Sequence, residues 1–178
     1  MLKNRLLVVA AHADDEAIGC GGLLMKFTGE KCVLILTKPR GTEAKEACQL
    51  YKAKLYHYDY ADQKLDTVSQ LELNKGIEAI IKKFQPDTII THSAHDNNQD
   101  HVAVHKAVNV AARFVDNCLY FHIPSTGEFS GFKRQVTVVV DAEKKTKLLN
   151  CYKEEMKKPS RKPFDMGVEY FEVGRLQL

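Results

Sequence analysis

A doubly wound α/β fold, with a mostly parallel sheet flanked by helices, is predicted by three features of this sequence. Short apolar runs recur along the chain, each followed by a loop and then a segment of helical spacing. The first run, residues 6–11, is unbroken rather than alternating, as a strand buried on both faces requires. The loops after the first and fourth runs gather histidines and acids, and in open parallel sheets ligands sit beyond the carboxyl ends of the strands. At 178 residues the expectation is a single domain, 1–178, large enough for a proper core.

In chain order, residues 18–29 read as the first helix, with Leu23, Leu24 and Phe27 on one face and Gly29 at its C-terminal cap. Residues 32–37 form a second strand, 38–42 the loop beyond it, and Thr42 an N-cap for a helix reaching about Lys52. Residues 54–58 are a third strand and 59–67 a polar loop. The spacing of Leu73, Ile77, Ile80 and Ile81 predicts a helix over 68–84, which Pro86-Asp87 ends before a fourth strand at 88–91. A helix from His101 to about Val115 buries Val104, Ala107, Val108 and Ala111. Residues 119–122 make a fifth strand with 123–127 as its loop, and 135–140 a sixth, Val-rich strand. Asp141 caps a helix running to roughly Lys157, and the tail from Pro159 is rich in turn signals around one short apolar piece at Tyr170-Phe171.

Composition narrows the function classes. The formal charge is +3 and no basic run is interleaved with aromatics, so nucleic acid is not expected as a partner. Five cysteines (Cys20, Cys32, Cys48, Cys118 and Cys151) are scattered, with no CxxC, and read as reduced thiols. The first apolar run meets charge too soon to cross a membrane and no signal-peptide cleavage pattern precedes it. A cytoplasmic protein without a transmembrane segment is therefore expected.

Chemistry concentrates in two clusters. The first, His12-Ala13-Asp14-Asp15-Glu16, places an imidazole and three carboxylates at a strand end; the second runs from His92 through His95, Asp96 and Asn98 to Asp100-His101. Crowded acids are costly unless something positive compensates them, and a divalent metal is the simplest such partner. A right-handed crossover brings both clusters to one edge of the sheet. His12 and Asp15, spaced to turn two ligands toward one point, would form with His101 a His₂Asp site whose remaining position is open to water. Asp14 or Glu16 is left for proton transfer; Asp14, adjacent to a ligand and not needed as one, is the candidate base. Asp100 would orient a neighbouring side chain.

The blander readings are specific too. The first cluster serves equally as a solvated turn before a helix N-terminus that welcomes acids. His101 and His105, four apart, could bind a metal by themselves, but His105 has no acidic neighbour. His92 reads as a half-buried strand-end imidazole, His57 and His122 as ordinary strand positions, Asp62 as a loop-capping carboxylate and Arg40 as a surface charge. The run Gly19, Gly21, Gly22 invites a nucleotide-binding reading, yet it lacks the full fingerprint and follows acids that repel phosphate.

With those residues in view, the chain resembles the LmbE-like/PIG-L family of zinc-dependent de-N-acetylases, a Rossmann-like layered fold. The family's AHPDDE motif stands here as Ala11-His12-Ala13-Asp14-Asp15-Glu16, and its second motif as Asn97-Asn98-Gln99-Asp100-His101. Arg40 and Glu43 resemble its Arg-x-x-Glu, Asp62 falls where the family has a loop Asp, Pro124-Ser125-Thr126 resembles its Pro-Ser-rich loop, and residues 170–175 resemble its closing segment. The resemblance implies His12, Asp15 and His101 as ligands of Zn2+ (Fe2+ or another divalent ion being open alternatives), Asp14 as general base and Asp100 as the acid of the second motif. It further implies Arg40 and Asp62 on the substrate, an N-acetylated sugar or glycoconjugate, with a homo-oligomer as a possible assembly.

Three departures stand out. Ala13 replaces the motif's proline. Asn98 stands where many members carry an oxyanion-stabilising histidine, leaving its amide, or His95, to supply that hydrogen bond. The chain is also short between Pro159 and Val168. A hydrolase removing an acetyl group is thus the leading expectation. A catalytically weakened sugar- or partner-binding member and a nucleotide-binding protein are the alternatives.

Overall fold

A computed structural model describes residues 4–124, 131–158 and 166–177. Among these residues seven strands form one sheet in the order β3-β2-β1-β4-β5-β7-β6. The first five, β1 (Arg5–Ala10), β2 (Glu30–Thr37), β3 (Lys54–Tyr60), β4 (Thr88–His92) and β5 (Asn117–Phe121), are parallel. β7 (Val168–Arg175) runs antiparallel to both β5 and the edge strand β6 (Val136–Val139). The doubly wound, mostly parallel architecture is as the sequence predicts. The short apolar piece at Tyr170-Phe171 is its unexpected part: it lies inside an eight-residue strand inserted between β5 and β6. Charges every third residue (Glu169, Glu172, Arg175) broke the period-2 pattern and hid the strand, whose fully buried members are Phe171 and the anchored Glu169.

The unbroken apolar runs are explained by burial on both faces. Leu6 and Val8 of β1, with Val33 and Ile35 of β2, pack under α1 (Asp15–Lys26), α2 (Glu43–Tyr51) and α5 (Ala142–Leu149). The intervening Leu7 and Val9, with Leu34 and Leu36, pack under α3 (Gln70–Phe84) and α4 (Gln99–Ala111). Strand order reverses between β1 and β4, and both polar clusters leave the sheet at that switch point. No helix among the described residues is long and apolar enough to cross a membrane.

Element boundaries shift where local chemistry departs from periodicity. The first helix spans Asp15–Lys26 rather than 18–29, and Phe27 in extended conformation ends it. Gly29 does not cap it; a Cβ there would collide with the Asn4 carbonyl, so glycine is required for close approach of the backbone. α3 starts at Gln70 because Ser69 caps it, and α4 starts at Gln99 because Asn98 does. Thr42 occupies the N-cap position of α2 but its hydroxyl donates to Glu46 instead of capping. The helix expected from Asp141 to Lys157 is broken into α5, a 3₁₀ turn at Asn150–Tyr152 and α6 (Lys153–Met156), though Asp141 does cap it. Residues 1–3, 125–127 of the fifth-strand loop and the beginning of the tail at 159–165 lie outside the described residues.

α1 is itself interrupted at Cys20 (φ −148°, ψ 20°). A buried ion pair fills the break. Lys145 donates to the Ile18 carbonyl at 3.1 Å and to Glu169 at 2.8 Å, while Glu169 accepts the Gly22 and Leu23 N–H groups at 2.6 and 2.8 Å. Each charge thus satisfies the orphaned backbone groups of one helix half. Gly19, Gly21 and Gly22 lie in this same helix against the side chains of Phe121, Leu148 and Val140, so the glycine run serves close packing.

Candidate metal centre

β1 ends at Ala10 and the chain turns through residues 11–14 into α1. Asp14 holds the turn in a left-handed conformation (φ 115°, ψ −28°), its N–H donating to Glu16 Oε2 at 3.1 Å and its carbonyl accepting from Ile18 at 2.9 Å. Its carboxyl does not cap the helix. The turn folds His12 back over Asp15: the His12 N–H donates to Asp15 Oδ2 at 2.9 Å, and His12 Nδ1 lies 3.2 Å from the same oxygen. From the second cluster, the first turn of α4 brings His101 Nε2 to 3.3 Å from both His12 Nδ1 and Asp15 Oδ2. All three side chains are buried.

The donor atoms therefore form a nearly equilateral triangle with edges of 3.2, 3.3 and 3.3 Å. Tetrahedral bonds of about 2.0–2.1 Å, the usual lengths to zinc, separate neighbouring donors by about 3.3 Å. A two-histidine, one-carboxylate donor set at this spacing fits a divalent ion with a fourth position left for water.

The outer nitrogen of each imidazole meets a carboxylate. His12 Nε2 lies 2.9 Å from Asp100 Oδ2 and 3.1 Å from Asp62 Oδ1; His101 Nδ1 lies 2.9 Å from Asp96 Oδ2. Such partners fix the tautomer and orient the ring. Asp100 also accepts the Gln63 and Leu65 N–H groups, at 2.7 and 2.9 Å, fastening the loop after β3 to the site. Asp62, half exposed, pairs with Arg40, whose other nitrogen reaches Glu155 of α6 at 2.7 Å.

Electrostatics follow from this crowding. Burial lowers the His12 pKa, but hydrogen bonds to Asp100 and Asp15 and the charges of Asp15 and Asp62 outweigh it and push it up to about 10. His101 behaves alike: Asp15 and Asp96 overcome burial and raise it to about 9. Burial raises Asp15, but His101 and His12 hold it well below the carboxylate range. Asp100 is lowered too, burial being outweighed by His12 and the backbone donors. The pocket stabilises positive charge at its centre, whether carried by protons or by a cation.

Other sequence expectations fare differently. His92 is fully buried, not half-buried. It stacks on His101 (centroids 3.9 Å apart), and its Nε2 accepts the Ala11 N–H at 3.0 Å. Burial and the neighbouring His101 charge hold it well below its ordinary pKa, hence neutral. His105 turns away, its Nδ1 on the His92 carbonyl at 2.9 Å. His57 sits on β3 beside Asp59, and His122 packs near Phe132. Asn98, expected to present its amide to an oxyanion, caps α4 with its side-chain oxygen, which accepts from the Asp100 and His101 N–H groups at 2.9 and 3.4 Å, and this bond does not engage the amide nitrogen. A helix start two residues earlier than expected makes this its natural place. His95 stays outside the donor cluster: it is exposed, its ring faces Gly131 and its N–H donates to Ser93 Oγ.

Sequence reasoning missed two participants and did not foresee the burial of a third. Asp96 was part of the polar cluster, but which acid pairs with His101 depends on the loop path between β4 and α4. Glu155 reaches Arg40 from a part of the chain far away in sequence, with no local signal. Glu16, named in the sequence as the alternative to Asp14 for proton transfer, is completely buried, and burial raises its pKa to about 6 despite hydrogen bonds from Tyr152 and Asp14.

Comparison with known proteins places this geometry in context. Residues 30–112 match the PIG-L family, described as GlcNAc-PI de-N-acetylase. The chain is 30% identical over 146 residues to the uncharacterized deacetylase YaiS of Escherichia coli K12, spanning 70% of this chain and 76% of YaiS. Among solved structures, the conserved protein TT1542 from Thermus thermophilus superposes with a TM-score of 0.79 at 20% identity, covering 100% of this chain and 97% of that one. The N,N'-diacetylchitobiose deacetylase of Pyrococcus horikoshii, solved with an inhibitor, gives 0.71 at 17% identity over 96% and 83%. The hydratase GalB of Pseudomonas putida KT2440 gives 0.74 at 15% over 99% and 98%, so the shared fold alone does not choose the reaction.

Proposed function

The chain belongs to the PIG-L (LmbE-like) family of de-N-acetylases, and from this we propose that residues 1–178 form one domain that hydrolyses the acetamide of an N-acetylated amino sugar or glycoconjugate with the help of a divalent metal, zinc in the first instance. The observation that carries the reading is the triangle of His12 Nδ1, Asp15 Oδ2 and His101 Nε2, spaced for one small cation. Iron remains a fair competitor for the same donors, because affinity alone does not select the metal.

A divalent ion bound there supplies a water acidified to a pKa of about 7 and polarises the acetyl carbonyl. The protein's own groups do the rest. Asp14, adjacent to a ligand and not used as a helix cap, takes the proton as the water oxygen bonds to the carbonyl carbon. It then delivers that proton to the amine nitrogen as the C–N bond breaks, leaving acetate and a free amino group. Asp100 and Asp96 hold the two imidazoles by their outer nitrogens. Arg40, braced between Asp62 and Glu155 at the mouth, is placed to meet sugar hydroxyls.

A second reading has its own support. Asn98 stands at the position that carries an oxyanion-stabilising histidine in many relatives, and its amide can donate a hydrogen bond but no proton. Loss of one such donor costs about 10²–10³ in rate, so a weakened member that binds its sugar without turning it over is the alternative.

Elemental analysis of the purified protein, followed by acetate release from a panel of N-acetylhexosamine compounds, separates the two. We expect about one metal per chain, measurable acetate, and an Asp14→Asn protein that keeps its metal while its acetate release falls to a small residual rate. Unchanged turnover in Asp14→Asn would remove the proposed base; sugar binding without acetate in the metal-loaded protein would establish the second reading.

A further inference from the structure

We propose that Glu16, locked by Tyr152 and Tyr51, is a positioning residue that holds the Asp14 backbone in a strained conformation and so aims its carboxyl at the metal centre. Of the four non-glycine residues with positive φ among the described residues, Lys52, Gln63 and Gln85 sit at 57°, 59° and 50°, inside the ordinary left-handed well. Asp14, at 115°, lies far outside it. A non-glycine residue in so sparse a region is strained and persists only where its surroundings over-determine it.

The surroundings that do so are visible. Glu16 Oε2 accepts the Asp14 N–H at 3.1 Å, and Ile18 N–H donates to the Asp14 carbonyl. Glu16 cannot yield, because its other oxygen accepts the Tyr152 hydroxyl at 2.6 Å and faces the Tyr51 hydroxyl at 3.4 Å. Tyr152 belongs to the 3₁₀ turn after α5 and Tyr51 to the end of α2, and both rings are fully buried. Packing of those two elements is thereby transmitted through one carboxyl group to a single peptide unit. If Glu16 merely favoured the helix N-terminus, an exposed acid would do as well, and no buried phenols would be needed.

The proposal rests on Asp14 being the base, and the test separates the two claims. Displacement of a catalytic group by about 1 Å can cost about 10²-fold in rate. We expect Tyr152→Phe and Glu16→Gln to lower kcat about 10–100-fold with KM within about twofold and metal content unchanged. Neither should lower the residual rate further in an Asp14→Asn background, since a group acting through Asp14 has nothing left to position. Crystal structures of the same variants should show Asp14 φ relaxed toward the ordinary left-handed well. Unchanged kcat, an equal loss in the Asp14→Asn background, or an Asp14 φ still near its present value would overturn the proposal. Should the parent protein release no acetate, the reading of Asp14 as base fails while the crystal structures still decide the backbone claim. Should Tyr152→Phe not fold, Tyr51→Phe, which removes the longer contact, takes its place in both measurements.

Discussion

Filling the metal centre should expel protons, and the number can be worked from the structure. In the metal-free protein His12 and His101 titrate at about 10 and about 9, so at pH 7.5 both imidazoles are protonated. The donor atoms His12 Nδ1 and His101 Nε2 must each be bare to bind a cation, while their outer nitrogens keep the hydrogens shared with Asp100 and Asp96. Uptake of one ion at pH 7.5 therefore releases about two protons, and apparent affinity rises about 10²-fold per pH unit below pH 9. The linked stability has the opposite trend. Both folded pKa values lie above the unfolded value of about 6.5, so the metal-free protein is stabilised fully below that pH and loses the contribution as pH rises through 9 and 10. Titration calorimetry in buffers of different ionisation enthalpy counts the protons, and chelator competition at pH 6.5, 7.5 and 8.5 gives the slope. Release of less than about half a proton, or an affinity independent of pH over this range, would refute the assignment of these two nitrogens as ligands.

Two further outcomes are expected. Asp96→Asn, which weakens the charge-assisted bond to His101 Nδ1, should reduce metal affinity about 10–100-fold by chelator competition, and unchanged affinity would deny Asp96 its orienting role. Lys145→Met leaves Glu169 buried with only two backbone donors, so denaturant unfolding should show a loss of about 3–5 kcal/mol; a loss under about 1 kcal/mol would mean that the charge finds another partner or water.

Much of the fold was legible because the strands are buried on both sides. Leu6 through Ala10 and Cys32 through Leu36 carry no polar residue, and runs this short, bounded by charge and turn residues, read as buried strands rather than helices. β7 escaped because its burial is uneven: Glu169 is inside only by virtue of Lys145 and the split in α1, a tertiary circumstance with no local trace. The end of α1 was misplaced for a related reason. Gly29 has the right chemistry for a helix cap, yet it is there to let the chain pass the Asn4 carbonyl.

The centre divides along the same line. Spacing and strand-end position singled out His12, Asp15 and His101, and the structure brings their donor atoms within 3.3 Å of one another. It also gave Asn98 to the helix, paired His101 with Asp96 rather than with its sequence neighbour, and turned Asp100 toward His12.

By itself, then, the sequence determined the layered α/β architecture, the strand ends that carry chemistry and the residue types available there, since burial pattern and turn composition are local properties of the chain. Only the tertiary structure decided which carboxylate braces which imidazole, that a buried lysine and glutamate mend a broken helix, and that two distant tyrosines bear on the Asp14 peptide. Those outcomes depend on how far apart side chains from separate elements come to rest, a distance that no spacing along the chain encodes.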